Sequence, residues 1–223
     1  MKTVKHFIIL AFIILAYQQR ICAQANYTDI YPNYRVPIEY EKINVNTFSN
    51  KYKGSILDYT YKKDDGTTVE VKSYKRGSNI EIFERPPFPA IHIIYKEFHP
   101  NGNLKQKGVL LPLQLRIGKW LDLDQRGEGT ITDYENGRTA LGYNDVLAYL
   151  ESKAFYNKSD ENSWKCTFWY TPESQTWGVR VDKNGNQYKM YTFDSNRQNG
   201  ATETDLSENS KSASPVGTFY QEE

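Results

Sequence analysis

The stretch YKEFHPNGNLKQKG, residues 95–108, opens on an aromatic, turns at Asn101-Gly102, continues as an extended segment and reaches a second glycine at Gly108. The scheme recurs on both sides of it. GKWLDLDQRGEGTITDYENG (118–137) follows it, YKKDDGTTVEVKSYKRG (61–77) precedes it with a turn at Asp65-Gly66, and WGVRVDKNGNQYKMY (177–191) turns at Asn184-Gly185. Asn-Gly and Asp-Gly accept the positive φ angles of tight primed turns, and the flanking residues alternate faces with period two, so each unit reads as a β-hairpin. One hairpin is marginal in water. Successive hairpins therefore have to pair into a continuing sheet, with Tyr61, Tyr74, Tyr95, Phe98, Trp120 and Tyr134 lined along it and the second glycine of each unit making the next turn.

Residues 95–108 followed by 118–137 resemble the variant MORN repeat, whose units read as an aromatic pair, Asn-Gly, a strand and another glycine turn. The likeness spans about residues 93–137 and extends loosely to 56–77. Leu121-Asp122-Leu123-Asp124 departs from it where such repeats carry Tyr or Phe. The resemblance implies a stacked-hairpin fold, and exported bacterial proteins of this kind include antitoxin-like members.

Between the loose copy and the good ones stands Arg85-Pro86-Pro87-Phe88-Pro89, whose three prolines cannot donate ladder bonds, and a boundary is placed there. After Gly137 the period becomes helical. Asn144 suits the N-cap, Asp145 favours the positive helix start, and Val146, Leu147, Leu150 and Ala154 share one face of a helix over 145–156. Such a helix needs a sheet to lie on, supplied by strands over 163–170, 176–182 and 187–193, with Trp177 and Val179 facing inward. This helix-plus-sheet unit is similar to a PepSY-like half-unit of exported proteins. From Asn199 to Pro215 only Ala201, Leu206 and Ala213 are apolar, so the tail is expected to stay disordered. The expected architecture is mainly β (α+β): stacked antiparallel hairpin repeats, then one amphipathic helix packed on a small antiparallel sheet. The segments are 1–23 (signal peptide), 24–89 (N-terminal β unit), 90–137 (hairpin repeats), 138–198 (helix and sheet) and 199–223 (tail).

At the N-terminus, Lys2 and Lys5 precede eleven apolar residues, Phe7 to Tyr17, and a polar stretch ending at Ala23. At 1.5 Å per residue that run covers about half of a ~30 Å hydrocarbon core, so it reads as a secretory signal and not as a span. Gln19-Arg20-Ile21 ahead of Cys22 is charged and bulky where a lipobox carries Leu and small residues. The chain has 28 Lys+Arg against 27 Asp+Glu; removing residues 1–23 takes Lys2, Lys5 and Arg20 and no acid, leaving 25 against 27, a net of −2. No basic stripe marks a nucleic-acid partner. Cys166 is then the one remaining cysteine, so no internal disulfide forms, and its aromatic setting reads as buried filler.

No nucleophile elbow, His-Glu-x-x-His, phosphate loop or dinucleotide fingerprint occurs. His92 reads as a strand histidine and His99 as a hairpin-rim histidine. Asp122, Asp124, Gly127 and Asp133 echo calcium-loop spacing, but Arg126 stands where an oxygen ligand belongs. No catalytic residue, metal or cofactor is assigned. Tyr and Trp are enriched at dominant interface positions. Of the 18 tyrosines and 4 tryptophans, Trp120 and Trp177 read as structural, whereas Tyr95, Tyr134 and Trp169 are the partner-binding candidates. The functional expectation is a non-catalytic exported module that binds another protein, of immunity or antitoxin type. The alternative is an envelope-glycan module using an aromatic row.

Overall fold

A computed structural model describes residues 26–136, 141–153, 164–183, 186–194 and 201–205. The signal segment, the Asn184-Gly185 turn, the helix end beyond Lys153 and residues 206–223 lie outside the described residues. The chain is mainly β, built from antiparallel hairpins, with one α-helix among the described residues. It packs as two compact units. One runs to Leu111 and resumes at Arg116–Asn136, and the other takes Pro112–Leu115 and the described residues from Leu141 on.

The first unit is an eight-stranded meander in strict sequence order: β3 (Tyr52–Lys53), β4 (Ile56–Lys62), β5 (Thr68–Ser73), β6 (Ile80–Arg85), β7 (Ile93–Phe98), β8 (Leu104–Leu111), β9 (Leu115–Leu123) and β10 (Gly129–Asp133). A separate hairpin, β1 (Tyr27–Ile30) with β2 (Tyr34–Pro37), and a 3-10 helix over Val45–Lys51 precede it. The registers Leu57↔Ser73, Val71↔Ile82, Ile80↔Phe98 and Ile94↔Val109 put Leu57, Val69, Val71, Ile82, Phe98, Leu104 and Val109 on one face. All are buried. Residues 26–51 lie over that face: the Lys119 amide donates to Thr28 Oγ1 at 2.9 Å, the Ile43 amide to the Gly102 carbonyl at 2.9 Å, and Ile30, Val36 and Ile38 are buried. Each such side chain, fully buried, contributes about 1.5–3 kcal/mol.

Three sequence expectations change here. The boundary at Arg85–Pro89 is not a break in the sheet, because β6 and β7 pair across it; the prolines fall in the connection, where no ladder donor is needed. The turns are not primed. Lys63–Thr67, His99–Asn103 and Asp124–Glu128 close alike: the first residue's carbonyl accepts from the glycine amide (3.0, 2.8 and 3.0 Å) and its amide donates to the fifth residue's carbonyl (2.9, 2.8 and 2.8 Å). Only the glycine takes a positive φ: +86°, +83° and +85° for Gly66, Gly102 and Gly127. This is the three-residue loop with a glycine bulge, and an Asx side chain favours it by accepting from backbone two residues on: Asp65 from Thr67, Asn101 from Asn103, Asp124 from Arg126. Finally, Gly108 is no turn. It lies inside β8, and the chain reverses instead at Leu113 and Gln114, with φ of 65° and 63°.

In the second unit, α1 (Tyr143–Ser152) precedes a four-stranded meander of β11 (Trp164–Thr171), β12 (Thr176–Lys183), β13 (Asn186–Asp194) and β14 (Ala201–Asp205). The helix starts earlier than expected and is capped at Gly142, not Asn144, because Asp145 reaches back to accept the Gly142 amide at 2.9 Å. Tyr143, Val146, Leu147 and Leu150 form its buried stripe. Tyr149 meets the rings of Tyr191 and Phe193 at 5.7 and 5.1 Å, so the helix lies on the sheet face that also buries Phe168, Trp177 and Val179. The tail expectation is corrected for 201–205, which pair with β13. An edge strand gains order from ladder bonds as well as from burial, and Thr-rich Ala201–Asp205 suits that place.

Candidate functional site

The same registers that bury one face of the large sheet open the other. Tyr95 pairs with Phe83 on one side and with Gly108 on the other, so Phe83 and Tyr95 stand on the face opposite to Tyr61 and Phe98. The expected single aromatic line is therefore split between two faces, and Tyr74 lies outside the strands with 78% exposure. On the open face a continuous row does form: Phe83 to Tyr95 at 5.2 Å edge-on, Tyr95 to Trp120 stacked at 5.8 Å, Trp120 to Tyr134 at 6.1 Å edge-on. Gly108 makes this possible. A methyl at that position would coincide with the Trp120 indole, so the indole lies flat against bare backbone.

Arg116 completes the row. Its guanidinium sits 4.2 Å from the Trp120 ring centroid and 5.7 Å from that of Tyr134, and it donates to Tyr134 Oη at 2.8 Å and to Gln106 Oε1 at 3.2 Å. Gln106 in turn donates to Asp122. Tyr95 Oη donates to Glu81 at 3.1 Å; burial, then the charges of Glu97 and Glu81, push this phenol well above its ordinary pKa, so it stays a neutral donor. Trp120 is 1% exposed, as its structural reading required, whereas Phe83, Tyr95, Arg116 and Tyr134 are half-buried.

Of the three candidates, Tyr95 and Tyr134 thus flank one tryptophan. Trp169 belongs to the second unit, on β11, where its half-buried ring covers Gly178 by the same device. Phe83 and Arg116 were missed because nothing local distinguishes a strand phenylalanine or arginine. Gly108 held the usable signal, a glycine flanked by strand residues.

The remaining reactive groups are packed. Burial and the nearby Asp182 charge push the Cys166 thiol up to about 12, so it is not a thiolate nucleophile near neutral pH. His99 shares a 3.1 Å hydrogen bond with the Leu123 carbonyl at the hairpin rim. His92, just outside β7 and not on a strand, is 3% exposed, meets Tyr34 edge-on at 4.9 Å, and its Nδ1 has no hydrogen-bond partner among the described residues. Burial lowers its pKa to about 4. A histidine whose folded pKa is depressed stabilises the fold above its unfolded pKa, about 6.5, and that contribution is lost as pH falls toward about 4. Thermal melts of the wild type should show Tm falling across this window, and His92→Phe should flatten that slope; an unchanged slope would assign the acid sensitivity elsewhere.

Among the described residues no group of three or more His, Cys, Asp or Glu is gathered as a metal site, and no helix is long and apolar enough to cross a membrane. Set against family models, curated proteins and solved structures, the chain matches none.

Proposed function

We propose that the chain is an exported, non-catalytic protein-binding module of immunity or antitoxin type that holds its partner on the open face of the eight-stranded sheet. The observation that carries this reading is the Phe83–Tyr95–Trp120–Tyr134 row with Arg116 laid over it. Tyr and Arg are residue types that dominate protein interfaces, and here Tyr95, Tyr134 and Arg116 stand half-buried around the buried Trp120 that supports them. Export is supported by Lys2, Lys5 and the short apolar run after them, and the binding role by the likeness to variant MORN repeats. A protein is favoured over an envelope glycan because the indole that would stack on a sugar, Trp120, is already covered.

The test is affinity purification of the chain from envelope extracts of its own cell. One protein should co-purify in stoichiometric amount, and Tyr134→Ala and Arg116→Ala, both at half-buried positions, should weaken its retention at least about tenfold, or ~1.4 kcal/mol. No stoichiometric partner, or full retention by both variants, would remove the proposal.

A further inference from the structure

The large sheet ends on one side at β10, which has β9 as its one neighbour in the sheet order. Two hydrogen bonds fix which of its backbone groups face away from β9 and have no strand partner among the described residues. The Asp124 amide donates to the Glu128 carbonyl at 2.8 Å and the Tyr134 amide to the Gly118 carbonyl at 2.9 Å, and between them the register runs one to one from Gly129↔Leu123 to Asp133↔Lys119. In an antiparallel ladder, residues alternate between bonded and non-bonded pairs. Thr130 and Thr132 therefore turn their amides and carbonyls toward β9, while those of Gly129, Ile131 and Asp133 point outward. The Asp133 carbonyl accepts from the Asn136 amide at 3.1 Å, which leaves five outward groups.

Edge strands usually carry a lysine, a proline, a bulge or a cover against such pairing. Gly129-Thr130-Ile131-Thr132-Asp133 has no Lys or Pro, pairs with β9 without a register shift, and is exposed at all five positions. The opposite edge differs. There β4 carries Asp58 and Lys62, the short β3 pairs with its first two residues, and Lys51 sits 4.5 Å from the Tyr59 ring centroid.

We infer that β10 pairs antiparallel with β10 of a second copy of this chain, about a two-fold axis at Ile131, to give one continuous sheet. The sequence is self-complementary in that register. Ile131 meets its counterpart, Thr130 meets Thr132, Gly129 meets Asp133 and Glu128 meets Tyr134, so no like charges oppose each other. Ile131, 42% exposed, lies cross-strand from the 9% exposed Leu121, so pairing extends an existing apolar row across the junction.

The parity of the ladder supplies a clean test. The Ile131 amide points outward, so Ile131→Pro removes no bond within the chain but blocks the new one. Ile131→Lys, which leaves the backbone intact and sets like charges face to face, serves if the proline variant melts early. Analytical ultracentrifugation at about 100 μM, a concentration that populates even a weak dimer, should show dimers for the wild type and monomers for a variant whose Tm is unchanged. A monomeric wild type, or a folded variant that dimerises equally well, would overturn the inference. Neither result depends on the aromatic row, so the protein-binding reading stands or falls separately.

Discussion

Trp120→Ala should destabilise the first unit by about 3–5 kcal/mol, the range for deleting a fully buried large aromatic. Gly108→Ala should also destabilise it, by about 1–3 kcal/mol, because its methyl would occupy the volume of the indole and force the Trp120 ring away from β8. The two penalties share one cause and therefore must not add. In the Trp120→Ala background the position above residue 108 is empty, and alanine there is expected to be neutral or slightly stabilising, since glycine inside a strand carries an entropic penalty. Urea denaturation of the four members of the cycle measures this coupling. Additive losses would mean that the indole does not rest on Gly108, and the open-face row built around it would lose its anchor.

Lys107→Ala is the second large effect, about 1.5–3 kcal/mol, the range for a hydrogen bond to a charged group, and it concerns the covered face. Lys107, 3% exposed at its side chain, pairs with Glu41; Lys96 pairs with the other oxygen of Glu41 at 2.8 Å and with Glu84 at 3.1 Å. Both lysines share the apolar face with Val71 and Val109. Removing Lys107 leaves Glu41, 30% exposed at its side chain, with Lys96 as its remaining cation among the described residues, and takes the buried lysine stem out of the apolar face. Burial acts to raise the Glu41 pKa, but hydrogen bonds and charges from Lys107 and Lys96 prevail and hold it below the usual carboxylate value. Its stabilising contribution is thus complete above about pH 4.5 and lost as pH falls through the depressed folded value. Lys96 runs the other way: burial lowers its pKa, Glu41 and Glu84 more than offset that, and its contribution fades only as pH rises beyond about 10.4. Glu41→Gln should lower stability at neutral pH and reduce its further loss as pH falls below about 4.5 in urea titrations. A wild type with no such acid limb would contradict the pairing.

The hairpin architecture was legible because Asp65-Gly66, Asn101-Gly102 and Arg126-Gly127 each interrupt a period-two pattern, and period two sets strand faces by itself. The loop geometry was not, since Asp-Gly and Asn-Gly serve a primed turn and a glycine-bulge loop equally well; the Asx-to-backbone bonds that select the latter depend on chain closure. Gly108 misled for a related reason: glycine is permissive in turns and also makes room inside strands, and the tryptophan needing that room lies twelve residues away. In the second unit, Trp177 and Val179 were placed inward correctly because alternation alone decides it. The helix start shifted because Asp145 can either lie in the first turn or reach back across it, which composition does not resolve. Of the candidate site, Tyr95 and Tyr134 were legible as the aromatics of the repeated hairpin units, whereas their convergence on Trp120 and Arg116 is a property of register.

The meander pairs each strand with its nearest neighbour in sequence, but Thr28 bonds to Lys119 across 91 positions. Local pairings form quickly, and distant ones wait on loop closure. On a ribosome or in a translocation channel the N-terminal ribbon therefore emerges long before its seat exists. Its apolar side chains Ile30, Val36 and Ile38 must stay uncommitted until β8 and β9 have been delivered. A ribbon made before its seat is expected to be fastened only after that seat has formed.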